Sequence, residues 1–360
     1  MATLSILALL AALILVVNAG WHFIRRAGKK ARRQLLYAVL AFILSAAAAV
    51  ANPGGTRTLS LLHSSQPPNQ VSAPAQAPDA APAPSALPAT PDTAISPETP
   101  TTPTPPLGAA GKLRVHFLDV GQGDAILVQL PDGRNILIDA GSNEAGPTVI
   151  KNLKEYGVAQ LDYVIGTHPH EDHIGGMDQV IDAFPVGKVY LPRVTHNTDS
   201  YRDLLLAIKN KGLQATEAKA GVTLPLGEGV QATFVSPAKS NYEDLNDYSA
   251  VLHLTYGKTA FLFTGDAGTT AEQQMLAGHQ PLKADVLKVA HHGSRSATGT
   301  AFLKAVAPTY AVISVGRGND YGHPHAQTLQ RLQKAGAKIY RTDQDGTITA
   351  ISDGEKVTMP

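Results

Sequence analysis

Residues 167–176 read THPHEDHIGG, and the spacing inside that stretch decides what kind of chain this is. His168, His170, Asp172 and His173 form the pattern H-x-H-x-D-H directly after the apolar run DYVIGT, so the sequence predicts a strand, a loop, and a helix entered at Ile174. Alternate residues of an extended segment point the same way, which lets His168 and His170 grip one cation. Asp172 and His173, at the helix entrance, can turn toward a second. Gly175 and Gly176 permit close backbone approach there. A lone histidine reads as a surface or packing residue; four possible ligands at this spacing read as a metal site.

Outward from that stretch, residues 112–360 have the size of one domain. Upstream lie three strand-like runs, LRVHFLDV, DAILVQL and NILIDAG, with a turn signal at Pro131-Asp132-Gly133. Downstream, helical and strand patterns alternate. SAVLHLTYGKTAFLFTGD reads as a hairpin turning at Tyr256-Gly257-Lys258, and it is followed by a helix, the strand DVLKVA and further α/β units. Strands clustered at the start of each half, with helices between, imply an α/β fold of two sheets packed face to face with helices outside.

Further out, the composition changes twice. Residues 52–111 hold 14 of the 25 prolines with almost no charge, so they form a Pro/Ala-rich disordered linker that cannot bury enough surface to fold. Residues 1–51 contain two uncharged apolar runs, 2–19 and 35–51, around a loop with six Lys/Arg and no acid. Each run falls slightly short of the ~20 residues of a usual spanning helix, and a short basic loop stays in the cytoplasm. Two readings fit: a membrane anchor of two apolar helices, or a signal-like region cleaved after Ala51. Both place everything beyond residue 52 outside the cytoplasm, with the first leaving the catalytic domain on the cytoplasmic membrane. Net charge is +1, which gives no global case for a nucleic-acid partner, and the absence of cysteine rules out a disulfide-linked partner and thiolate ligands. The sequence leaves the oligomeric state unknown.

Residues 112–360 resemble the metallo-β-lactamase superfamily in the order of their motifs: Asp139 in LIDAG, the HPHEDH loop, Asp266 in FLFTGD and His291 in KVAHHGS. Within it, FLDVGQGDAILVQLPDG, NDYSAVLHL, FTGD and HHGS are similar to the hydrolase domain of the ComEC DNA-uptake (competence) family. The resemblance implies an αββα metallo-β-lactamase sandwich with two divalent metal ions, Zn or Mn, at one edge. It implies metal ligands His168, His170, Asp172, His173, Asp266 and His291, the carboxylate of Asp266 bridging the ions. Neighbours in extended chain point oppositely, so only one of His291 and His292 is expected to ligate, and His291 is the choice. Asp139 is expected to orient the HPHEDH loop by hydrogen bonds, and Asp172 to orient a water, as the catalytic pair. Ser249, Lys288, Ser294, Arg295, His323 and His325 are candidates for substrate binding.

One departure is visible. Many superfamily members supply another histidine between the HPHEDH loop and the bridging aspartate, where this chain has LNDYSAVLHL and offers Asp247 and Ser249. His253 alternates within a strand and is expected in the sheet. An oxygen-richer shell makes Mn²⁺ credible beside Zn²⁺. Fold alone does not choose the substrate. The leading reading is a phosphodiesterase or nuclease acting on single-stranded DNA; the alternatives are a hydrolase of a small ester, lactone or lactam, and a non-catalytic anchored module in DNA uptake or envelope assembly.

Overall fold

Apolar residues fill both faces of most strands in this chain, and the reason is a four-layer α/β/β/α sandwich. The computed structural model describes residues 111–227 and 229–360. The expected anchor and all of the linker before Gly111 lie outside the described residues, and among the described residues no helix is long and apolar enough to cross a membrane.

The chain lays down β1 (Leu113–Phe117), β2 (Ile126–Gln129), β3 (Asn135–Ile138), β4 (Leu161–Ile165), β5 (Val186–Leu191) and β6 (Ala215–Glu217) in one sheet. The second sheet takes β7 (Thr223–Leu224), β8 (Val230–Phe234), β9 (Leu252–Tyr256), β10 (Thr259–Phe263), β11 (Val286–Lys288), β12 (Tyr310–Ile313) and β13 (Lys338–Arg341). The chain then returns to the first sheet with β14 (Ile348–Ser352) and β15 (Val357–Thr358). The strand orders are β15-β14-β1-β2-β3-β4-β5-β6 and β13-β12-β11-β10-β9-β8-β7. The β9–β10 hairpin turns at Gly257, whose φ of 55° suits glycine.

Period two sorts the side chains. Phe117, Ile126, Ile136 and Ile165 meet Leu252, Leu254, Phe261 and Phe263 between the sheets. The alternate positions Leu127, Leu137 and Val164 pack outward against helices α1 (Gly146–Glu155), α3 (Met177–Ala183) and α4 (Asp199–Asn210) through Val149, Leu153, Val180, Ile181 and Leu204. In the second sheet Leu262, Leu287 and Ala311 pack against α5 (Thr269–Ala277), α6 (Thr300–Val306) and α7 (Ala326–Lys334). Each fully buried Leu or Phe contributes roughly 1.5–3 kcal/mol, so the three cores fix the sheets rigidly.

That rigidity matters at one edge. β3, β4 and β5 run parallel in one sheet, and β10, β11 and β12 in the other. The segments that follow β3, β4, β10, β11 and β12 meet there, and they carry Asp139, the HPHEDH loop, Asp266, the HHGS turn and the YGHPH loop.

Candidate metal centre

The half of the centre supplied by the first sheet is assembled locally. After β4 the chain bends at His168 and Pro169, is extended at His170 (φ −75°, ψ 148°) and then enters the short helix α2 (Glu171–Ile174). His168 Nε2 lies 3.0 Å from His170 Nδ1, so the two rings converge. Asp139, buried and at a φ of 57°, holds this loop from the end of β3. Its Oδ1 accepts from the Thr167 backbone N–H at 2.8 Å; its Oδ2 accepts from Thr167 Oγ1 at 2.7 Å and lies 2.8 Å from His173 Nδ1. That contact leaves His173 Nε2 to face the centre. A side chain at Gly176 would lie 2.5 Å from the Ala140 carbonyl, which is the close approach expected of that glycine.

The second sheet supplies its half through strained backbone. His291 (φ 52°, ψ 45°) and His292 (φ 53°, ψ 25°) are both left-handed, followed by Gly293 at φ 83°. Non-glycine residues in this region cost on the order of 1–3 kcal/mol each and persist only where the surroundings impose them. The surroundings here are the Ser314 carbonyl at 2.9 Å from His292 Nδ1, the Gly293 carbonyl accepting from the His325 N–H, and the Ser294 carbonyl accepting from Thr328 Oγ1. In such a turn adjacent side chains need not oppose one another. Both imidazoles reach Asp266: His292 Nε2 is 3.5 Å from Oδ1, and His291 Nε2 is 3.7 Å from Oδ2. The expectation that only one would face the site assumed an extended backbone, which the turn does not have. His292 is the buried one, 3.2 Å from Asp172 Oδ2.

Asp266 sits between these halves with each oxygen toward a different pair of nitrogens. Oδ1 faces His173 Nε2 at 3.1 Å as well as His292; Oδ2 faces His168 Nε2 at 3.9 Å as well as His291. His168, His173 and Asp266 form one group close enough to hold an ion, and Asp172, His173 and His292 form another. His173 Nε2, His292 Nε2 and Asp266 Oδ1 are buried and make no hydrogen bond. Orphaned polar atoms that converge in this way fit a cation, because leaving them unpaired costs about 1–3 kcal/mol each. An all-nitrogen and oxygen donor set suits Zn or Mn.

The electrostatics agree. Burial pushes His292 down, but the carboxylates of Asp266, Asp124 and Asp172 outweigh it and raise its pKa to about 10. His173 is likewise raised well above the ordinary value, against burial, by Asp266, Asp139 and Asp172. Asp266 is held well below the usual carboxylate range, again against burial, by His173 and His292. Burial and the nearby His173 keep His168 well below its ordinary value. Carboxylates that hold protons on two buried imidazoles would hold a divalent ion in their place.

Several candidates stand elsewhere than expected. Lys288 is fully buried, its Nζ 2.6 Å from Asp124 Oδ2 and donating to the Val289 carbonyl, so it is not presented to a substrate. Period two explains this correction: Lys288 shares the face of Val286, which points between the sheets. Ser249 is also fully buried, its Oγ accepting from the Asp266 N–H at 3.1 Å, so it positions the aspartate. Asp247 accepts from the Ala271 N–H in the first turn of α5, and His253 lies in β9 with Nε2 2.9 Å from the Lys283 carbonyl. Ser294 is buried beside Ser296, whereas Arg295 is exposed. His323 lines the cleft with His291 and His292, and burial together with those two imidazoles lowers its pKa to about 4. His325 Nδ1 accepts from the Arg295 N–H behind it.

Sequence reading missed Asp124, which lies 3.4 Å from His292 Nδ1 and 3.9 Å from His173 Nδ1, and it missed Glu272. The carboxylate of Glu272 accepts from the Thr298 and Gly299 N–H groups and anchors the segment after HHGS. Asp124 stands two residues before Ile126 on the inter-sheet face, a parity signal that could have found it. Glu272 carries no comparable signal. The cleft above the centre has a volume of about 610 Å³ and is bounded by Glu144, Glu171, His170, Asp172, Tyr321 and His323.

This is the layered fold and edge-mounted histidine and aspartate cluster of a metallo-hydrolase, and residues 118–317 match the metallo-beta-lactamase superfamily. The chain belongs to that superfamily. It is similar to ComE operon protein 3 of Bacillus subtilis, 34% identical over 68% of this chain and 33% of the relative. It is similar as well to competence protein ComA of Neisseria gonorrhoeae, at 31% over 64% and 31% of the two chains. Recombination protein 2 of Haemophilus influenzae is 30% identical over 65% and 28%. These are homologues of the ComEC family, and the chain spans about a third of their length.

Proposed function

We propose that this chain is a metal-dependent phosphodiesterase that cuts single-stranded DNA outside the cytoplasmic membrane. The observation that carries the reading is Asp266, whose two oxygens face separate nitrogen pairs as a bridge between two cations would. His168, His170 and one Asp266 oxygen would hold the first ion, with His291 beside them; Asp172, His173, His292 and the other oxygen would hold the second. Two bound divalent ions supply water activation near neutral pH and stabilise charge on a phosphoryl oxygen. Asp139 and the Ser314 carbonyl fix the rings of His173 and His292 from behind. Asp172, less buried than Asp266, lines the cleft, where it would orient an attacking water. Relatives named for competence and recombination favour DNA over a lactam or lactone.

The test incubates end-labelled single-stranded DNA with wild type and with His170→Ala, each with Mn²⁺ or Zn²⁺. Metal-dependent degradation by wild type alone is the expected result. Degradation by both proteins means a contaminant; degradation by neither, with lactone or lactam turnover by wild type, moves the assignment to small-molecule hydrolysis. Placement follows from the basic loop 20–34 remaining cytoplasmic. An alkaline phosphatase fusion after Pro106 is expected to be active, and an inactive fusion reverses the orientation.

A further inference from the structure

Tyr321 is 66% exposed, the most exposed large apolar side chain among the described residues, and it stands on the rim of the cleft. A single exposed tyrosine is ordinary on a protein surface. This one is held in place. The Asn319 side chain accepts from the Tyr321 and His323 N–H groups at 3.2 and 3.0 Å and donates to the Gly316 and His323 carbonyls at 2.9 and 2.7 Å. All of its hydrogen-bonding capacity is used to latch this one loop. The Tyr321 ring lies over His323, with centroids 5.6 Å apart and planes 20° from parallel. His323 in turn meets the edge of His291 at 5.6 Å, and His291 faces Asp266. A ladder of rings therefore leads from the exposed tyrosine to the centre.

The charge around the cleft gives that ladder a purpose. Residues 112–360 contain 23 Lys/Arg and 26 Asp/Glu, and Glu144 and Glu171 stand on the cleft wall. Such a surface does not gather a polyanion by long-range attraction. Stacking on an aromatic face is independent of net charge and tolerates any base.

We propose that Tyr321, backed by His323, is a stacking platform for a nucleobase flanking the phosphodiester held at the metal centre, a proposal that rests on the phosphodiesterase reading above. The platform makes the enzyme select strands with unstacked bases over bare sugar-phosphate chains.

The test compares kcat/KM of the full chain on a thymidine oligonucleotide and on an abasic strand of equal length, with Mn²⁺. Tyr321→Ala is expected to lose roughly 5- to 150-fold on the thymidine strand, to leave the abasic strand unchanged, and to be rescued by Tyr321→Trp. Equal losses on both strands, or no loss on either, overturn the platform. If wild type cleaves neither strand, the phosphodiesterase reading fails and binding decides the platform separately. The fluorescence of Tyr321→Trp is then titrated with each strand, with wild type, whose one tryptophan is Trp21, as background. Quenching by the thymidine strand alone supports the platform; equal quenching by both strands, or none, overturns it.

Discussion

The HPHEDH loop and the HHGS turn present imidazoles to the same aspartate by different means. In the first, the short spacing after β4 brings His168 beside His170 and one helical turn redirects His173, with Asp139 holding the loop from the end of β3. In the second, His291 and His292 sit in a left-handed turn that their own sequence does not favour. Contacts from Ser314, His325 and Thr328, distant in the chain, enforce it. One half of the centre is encoded by spacing and the other by packing, and substitutions should separate them.

The largest effect is expected where the halves meet. Asp266→Ala should reduce bound metal from close to two ions per chain to well below one, measured by elemental analysis after dialysis, because its two oxygens face the imidazoles of both halves. On the packed side, His292→Ala should remove one ion, whereas the more exposed His291 should be more tolerant of alanine. Equal depletion by the two histidine variants would mean that both ions depend on the turn alike.

Beneath the packed half, Lys288→Met strands the Asp124 carboxylate in the inter-sheet core. Breaking a buried pair in this way costs about 3–5 kcal/mol, read as a shift in the urea midpoint, and adding Asp124→Asn should recover part of it. A loss confined to metal affinity with no change in midpoint would instead place Lys288 in the chemistry.

Glu272 gives the packed half a pH signature. Burial raises its pKa to about 7, against the N–H groups of Gly299 and Thr298. The folded state therefore keeps a proton that the unfolded chain releases near 4.5, and stability falls as pH rises from there to about 7. Glu272→Gln removes that dependence, so the stability of wild type relative to the variant should drop by on the order of 3 kcal/mol across the window. A difference that stays flat from pH 4.5 to 8 would show that Glu272 is ionised throughout.

The smallest effect is expected in the locally encoded half. Asp139→Asn must turn its NH₂ toward either Thr167 or His173, both of which need an acceptor. Loss of such a supporting partner lowers metal affinity by roughly 10- to 100-fold, measurable by competition with a chromogenic chelator. No change in affinity would mean that the HPHEDH loop aims itself without Asp139.

The sequence by itself determined the layers of the sandwich, because period-two apolar runs can bury both faces only between a second sheet and helices. It determined which ligands make up the HPHEDH half of the centre too, since they lie within six residues on one strand-to-helix connection. Only the tertiary structure decided the rest. Whether both imidazoles of HHGS face Asp266 depends on positive φ values imposed by other loops, and whether Lys288 meets a substrate or Asp124 depends on a residue of the β1–β2 connection, 164 residues away in sequence. Side-chain direction is local information where the backbone is regular; where packing holds the backbone away from its preferred conformation, the direction belongs to the whole fold.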